Sequence, residues 1–273
     1  MNGSKNSTVA FTKASACGND FLIAPGEGGG DLREDLRELS VRMCDRHNGI
    51  GADGVEWTFA DDAADVRVRL YNSDGSEAEI SGNGTRCVAA EICARTGKRE
   101  ITVRTEAGVK TCHLIASEGP RFEFESEMGS AEVGGELSIA AAGTQTVGTV
   151  VSMGNPHFVI VGERFDDGWQ KEAALIQAQP QFPQGTNVEY VVVRGPNEIE
   201  IRLYERGAGE TLSSGTGSCA SAVAAIARGM VASPVTVVAP GGTQTARWER
   251  DGAGNRVYLR GPATLVCRGE FFV

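Results

Sequence analysis

Two short segments carry the residue types best placed to do chemistry. Ser81-Gly82-Asn83-Gly84 and Ser214-Gly215-Thr216-Gly217 each set a serine before a pair of glycines, and each runs into small residues. Glycine permits a tight passage from a strand into a helix. The first N–H groups of such a helix have no partner within it. With about half a positive charge there, they suit an anion such as a carboxylate. One motif alone is most simply a serine N-cap. Two matched copies point to a small acid held from both sides, in a site between two halves of the chain.

Several other chemistries are excluded. No lysine follows Gly84 or Gly217, so neither segment is a phosphate loop. The third glycine of a dinucleotide fingerprint is missing. Neither serine lies in a G-x-S-x-G elbow, and His157 alone does not make a hydrolase triad. The chain has five lysines, none in a pyridoxal phosphate setting. Cofactor-free chemistry is the economical reading. The histidines are His47, His113 and His157, and Cys112-His113 has no companions at zinc spacing, so no metal site is expected.

The motifs belong to a longer repeat. At a constant offset of 133, Tyr71, Glu77, Ser81, Gly82 and Gly84 meet Tyr204, Glu210, Ser214, Gly215 and Gly217. Gly18-Asn19 meets Gly154-Asn155 at 136, and Gly51-Ala52-Asp53 meets Gly185-Thr186-Asn187 at 134. Order and spacing favour a duplicated architecture over chance matching of glycine-rich loops. The alternation of Val66, Val68 and Leu70 with Arg67 and Arg69 predicts a half-buried strand. Further strands are expected at 101–104, 121–124, 149–153, 158–161, 188–193, 199–204, 235–238 and 256–259. Helices are expected at Asn83–Arg95 and Thr216–Arg228, rich in small residues, and at Asp31–Arg46, where Leu32, Leu36, Leu39 and Met43 form a core-facing stripe. The fold class is therefore α/β (α+β), with two similar domains, each a curved, mainly antiparallel sheet around a central helix. Residues 1–135 and 136–273 are the expected domains, with a crossing back between them expected near the chain's end, the segment 129–148 being rich in Gly, Ala and Thr. The active site is expected in the cleft between them.

Composition sets the class of partner. The 273 residues carry a formal charge of -10, with 41% hydrophobic and 23% charged residues, as in a globular protein. An acidic balance argues against nucleic acid, and no apolar run reaches the roughly 20 residues of a membrane span. The first ten residues lack the apolar stretch of a signal peptide. Seven cysteines, an odd number without a C-x-x-C pair, fit a reduced, cytoplasmic setting.

At Gly18-Asn19-Asp20-Phe21, Gly49 to Gly54, Asn72 to Cys87, Gly154 to His157, Asn187 and Glu205 to Gly217, the chain resembles the diaminopimelate epimerases, cofactor-independent isomerases of lysine and cell-wall precursor synthesis. The resemblance spans nearly the whole chain. It implies a small amino-acid substrate, interconversion of LL- and meso-diaminopimelate by proton transfer on both faces of the α-carbon, no cofactor, and a homodimer. Asn19, Asn72, Asn155 and Asn187 would bind polar groups of the substrate. Glu205 and Arg206 would recognise its distal amino-acid head. Gly82-Asn83 and Gly215-Thr216 would donate N–H bonds to the reacting carboxylate, and His157 would help set the protonation of the catalytic pair.

The departure is central. The family's acid and base are two cysteines, and their positions here hold Ser81 and Ser214. Cys87 and Cys219 come one to two helical turns later and are expected to face the core. Cys17 is read as a small buried apolar residue. A thiol ionises near pKa ~8.5, whereas a hydroxyl lies closer to water, at about 15.7. The difference, on the order of 6 to 7 units, corresponds to about 8 to 10 kcal/mol for forming the anion. A helix terminus supplies ~2 kcal/mol of that. Reduced turnover is therefore expected of Ser81 and Ser214. Three readings stand: a Cys-to-Ser form of an active epimerase; a variant whose serines work with His157 or water, as a lyase or isomerase of another amino acid; and a non-catalytic binder that keeps the ligand cage.

Overall fold

In the computed structural model the described residues are 7–26, 35–141, 143–250 and 255–273. The chain forms two compact units, one of Met1–Ser126 with Pro262–Val273 and the other of Glu127–Gly261. The expected boundary lies at 135/136, whereas the two units divide after Ser126, and Pro262–Val273 group with the first. Residues 129–148, read as a boundary, belong mostly to strands.

Unit 1 holds β1 (Thr8–Ala16), β2 (Asn19–Pro25), α1 (Leu36–Cys44), β3 (Gly54–Phe59), β4 (Val66–Asn72), β5 (Glu77–Ala78), α2 (Gly82–Thr96), β6 (Glu100–Thr105), β7 (Gly108–Glu118) and most of β8 (Arg121–Ser130). Unit 2 holds β9 (Glu132–Ala141), β10 (Thr144–Ser152), β11 (Pro156–Gly162), α3 (Trp169–Gln177), β12 (Asn187–Gly195), β13 (Glu198–Glu205), β14 (Gly209–Thr211), α4 (Gly215–Ala227), β15 (Val235–Ala239), β16 (Gly242–Glu249) and the start of β17 (Arg256–Phe272). Of the expected helix at 31–46, residues 36–44 are helical, and 31–34 lie outside the described residues.

Each unit repeats one scheme. In unit 1, β2 and β3 are parallel (Phe21 opposite Gly54), β3 and β4 antiparallel (Val55 opposite Tyr71), and β4 and β6 parallel. In unit 2, β11 and β12 are parallel (His157 opposite Asn187), β12 and β13 antiparallel (Val188 opposite Tyr204), and β13 and β15 parallel. Most of the remaining pairings are antiparallel.

α2 and α4 are the central helices. A helix on a surface buries one stripe, yet Asn83 to Ala90 of α2 and Gly217 to Ala225 of α4 are buried without interruption. Small side chains allow this, because sheet can approach on every side. Val88, Ala89 and Ala90 pack with Phe21, Ile23, Leu70 and Phe124 in unit 1. Ala220, Val223 and Ala224 pack with Val151, Ile201 and Leu203 in unit 2. The other face of β3 is covered by α1, where Leu39 and Met43 meet Val55 and Trp57, and the indole of Trp57 donates to Ser40 Oγ (2.8 Å). β3 is thus buried on both faces.

Candidate active site

Each unit places its glycine motif at the start of its central helix. In unit 1, Ser81 is the N-cap of α2: its Oγ accepts from Gly84 N (3.0 Å), and its carbonyl accepts from Thr85 N (2.8 Å) and from Thr85 Oγ1 (2.8 Å). Asn83, in the first turn, donates from Nδ2 to Asn19 Oδ1 (2.8 Å), and its own Oδ1 accepts from the buried Arg86 guanidinium. Asn19 in turn donates to Asp53 Oδ2 (3.1 Å). Asp53 is held by Asp20 N (3.1 Å) and Arg46 Nη2 (2.8 Å). Arg46 and Lys13 also reach Asp20 (2.8 and 2.9 Å). Burial pushes the Asp20 carboxyl up, but these two cations hold it below its ordinary value. Asn19 and Asn83 are therefore fixed in orientation by a charged buttress. Asn72, at the end of β4, binds locally, donating to Ser76 Oγ (3.0 Å).

Unit 2 repeats this arrangement with different side chains. Ser214 caps α4, and its Oγ accepts from Gly217 N (3.3 Å). The same hydroxyl donates to Glu205 Oε2 (2.8 Å), so a carboxylate stands ready to take its proton. Asn155 donates to Thr216 Oγ1 (3.4 Å), matching the Asn83–Asn19 contact of unit 1. His157 is fully buried between Glu189 Oε1 at Nδ1 (2.7 Å) and Asn155 Oδ1 at Nε2 (3.0 Å). With Asn155 oriented to donate to Thr216, Nε2 is the donor toward Asn155, and one further proton is shared between Nδ1 and Glu189. Burial pushes the Glu189 carboxyl up, against the pull of His157. Both ring nitrogens are occupied, so His157 orients Asn155 and ties α4's first turn to β12.

Glu205 and Arg206, expected to act together, turn to different partners. Glu205 faces Ser214, whereas the exposed Arg206 guanidinium donates to Gln184 O (3.0 Å) and its N–H to Asn187 Oδ1 (2.9 Å). Asn187 also donates to Pro156 O (3.1 Å). Cys87 and Cys219 are fully buried, and burial raises the Cys87 thiol far above its ordinary range. The seven cysteines, all among the described residues, form no disulfide. Among the described residues, no group of three or more His, Cys, Asp or Glu side chains could hold a metal ion, and no helix is long and apolar enough to cross a membrane.

Two residues at these sites were missed in the sequence: the buried Glu56 and Glu189. The signal was present, because Val55-Glu56-Trp57 and Val188-Glu189-Tyr190 lie at the offset of the serine motifs. The glycines make room for them. A Cβ on Gly84 would stand 1.8 Å from Glu56 Oε1, and one on Gly217 would stand 3.0 Å from Glu189 Oε1.

The fold is shared with solved structures of low identity. A Bacillus anthracis phenazine biosynthesis protein of the PhzF family superposes with a TM-score of 0.73 at 14% identity, covering 97% of this chain and 99% of that one. A hydroxyproline epimerase from Agrobacterium vitis, solved with bound trans-4-hydroxy-L-proline, does so with 0.69 at 14%, covering 98% and 94%. Curated relatives are closer in sequence. The diaminopimelate epimerase of Pelotomaculum thermopropionicum is 40% identical over 278 residues, covering 96% of this chain and 98% of that protein. That of Desulforudis audaxviator is 40% identical over 280 residues, covering 96% and 99%. Fold and relatives together define an isomerase of the epimerase type. The diaminopimelate epimerase family model matches residues 11–133 and 149–266, and the chain belongs to that family.

Proposed function

We propose that the protein interconverts LL- and meso-diaminopimelate, in lysine and cell-wall precursor synthesis, without a cofactor and more slowly than a Cys/Cys enzyme. Ser81 and Ser214 take the acid and base positions. The observation that carries this reading is the hydrogen bond from Ser214 to Glu205 at the start of α4. A hydroxyl with a carboxylate behind it serves as a base at neutral pH, where a bare hydroxyl does not. Gly82-Asn83 and Gly215-Thr216 offer first-turn N–H groups to the α-carboxylate, where negative charge builds as the α-proton leaves. Asn19, Asn72, Asn155 and Asn187 are the further polar groups for the substrate, with Arg206 left for its distal carboxylate.

The magnitudes define the cost of the serines. Replacing thiol by hydroxyl costs about 8 to 10 kcal/mol in anion formation. The helix terminus offsets up to ~2 kcal/mol, whereas Glu205 helps by accepting the Ser214 proton and does not stabilise the anion. The shortfall of about 6 to 8 kcal/mol corresponds to turnover about 10⁴ to 10⁶ slower.

Incubation with LL- or meso-diaminopimelate in heavy water is the test. Deuterium at the α-carbon with change of stereoisomer is the expected result, and Ser81→Cys with Ser214→Cys together is expected to raise the rate by about 10⁴ to 10⁶. Binding heat without exchange would make the protein a binder, and loss of ammonia or water from an amino acid would make it a lyase.

A further inference from the structure

The two units carry the same backbone scheme but different proton-handling groups. At the offset that relates Val55 opposite Tyr71 to Val188 opposite Tyr204, Glu56 corresponds to Glu189 and Ser81 to Ser214. In unit 2 the strand beside Glu189 supplies His157, which binds its carboxylate. In unit 1 the corresponding position, opposite Gly54 as His157 is opposite Asn187, holds Phe21. Phenylalanine has no polar atom, and Glu56 Oε1 is left with no hydrogen-bond partner. Glu56 is 3% exposed. Its carboxyl abuts the α-carbon of Gly84, at the mouth of α2. A side chain at Gly84 would meet Glu56 Oε1 at 1.8 Å and Ser81 Cβ at 3.2 Å. Ser81 in turn lacks the carboxylate that serves Ser214, because Asn72 stands where Glu205 stands in the repeat.

Resting on the epimerase reading above, we infer that Glu56 is a positioning residue for Ser81, a neutral carboxylic acid that returns a proton to the Ser81 oxygen as the hydroxyl proton passes to the substrate. The step balances. The α-carbanion forms a C–H bond as the Ser81 O–H breaks; the Ser81 oxygen forms a new O–H bond as the Glu56 O–H breaks. Glu56 ends as a carboxylate and Glu205 as a carboxylic acid, and proton exchange with solvent resets both before the next turnover in the same direction. No existing hydrogen bond to Oε1 must break first. With Glu205 behind Ser214, the pair would start with one serine backed by a base and the other by an acid.

The surroundings support a protonated resting state. β2 and β4 face Glu56 with Ile23 and Leu70. Of the titratable groups around it, the Cys87 thiol of α2 interacts with it electrostatically. Burial pushes the Glu56 carboxyl up to about 8. At neutral pH it holds its proton.

The test compares wild type and Glu56→Gln in steady-state epimerisation from about pH 6 to about pH 10, with α-deuterium exchange in parallel. The inference expects kcat to fall by about 100-fold with KM changed less than about twofold. It also expects an alkaline decline of wild-type kcat near pH 8 that is absent in the variant. An unchanged kcat in Glu56→Gln, with the decline preserved, overturns it. Should that variant not fold, the wild-type profile decides alone, because a kcat that stays flat through that pH range overturns the inference. A wild type that neither epimerises nor exchanges overturns the function reading and this inference with it. An active wild type with an indifferent Glu56→Gln overturns this inference only.

Discussion

Ser81 and Ser214 cap their helices in the same way, yet the hydroxyl of Ser214 gives its proton to Glu205 and that of Ser81 has no such partner shown. Removing the acceptor's charge while keeping its shape isolates the difference: Glu205→Gln is expected to lower kcat by about 10²-fold, measured as α-proton exchange, with the fold unchanged by circular dichroism. Glu56 gives a prediction in stability as well as rate. Its folded-state pKa of about 8 lies above the ordinary 4.5, so between these values the folded chain keeps a proton that the unfolded chain releases. That contribution is full below the lower value and lost as pH rises through the upper one. Glu56→Gln removes the loss, and its Tm advantage over wild type is expected to widen steadily from pH 4.5 to pH 8. A constant difference across that range would show an ordinary carboxyl at this position. The two serine motifs were readable in the sequence because they repeat, whereas the asparagines and His157 were singled out only by the family resemblance. Glu56 was not readable, because strict alternation in Gly54–Phe59 sends Val55 and Trp57 inward and the glutamate to solvent. With both faces of β3 covered, its outward side is interior too.

α2 and α4 were legible as helices from their serine caps and small residues, and their bounds fall within one residue of those expected at each end. The long strands were harder to read. β17 runs for 17 residues through Gly261, Pro262 and Gly269, which locally read as stops, so only 256–259 were expected as strand. Pairing with β1 and β16 carries the chain through those positions, with a bulge opposite Lys13 and Ala14. The close seat of α2 on β3 can be tested by a mutant cycle. Gly84→Ala places a methyl group where Glu56 Oε1 already lies, and is expected to cost about 3 kcal/mol or more in denaturant unfolding. In a Glu56→Ala background the same change is expected to cost far less, with a coupling of about 2 kcal/mol. Strictly additive costs would show that the helix shifts away from the strand instead.

At the scale of the whole molecule, the duplicated plan was readable from the offsets of 133 to 136, whereas the strands that open unit 2 were not. Richness in Gly, Ala and Thr made residues 129–148 look like a linker, yet Glu132–Ala141 and Thr144–Ser152 pair as antiparallel strands. Glycine and threonine there serve a hairpin whose partners lie along the same chain. Unit 1 depends on residues far along the sequence: Ala263 is fully buried in its core, and Phe272 to Thr264 line β1 from Thr8 to Ser15. A chain ending at Gly261 is therefore expected to lose amide-exchange protection along β1 while β11 to β13 keep theirs. Equal loss in both units would show that their stabilities are not separable.

The same order governs biosynthesis. Every residue of unit 2 leaves the ribosome before Pro262 does, so unit 2 has its whole sequence available while unit 1 still lacks the strand that lines β1. Domains fold as they emerge from the N-terminus, but here the earlier-translated unit finishes last. The newborn chain must shelter the open flank of β1 until translation has passed the last of unit 2.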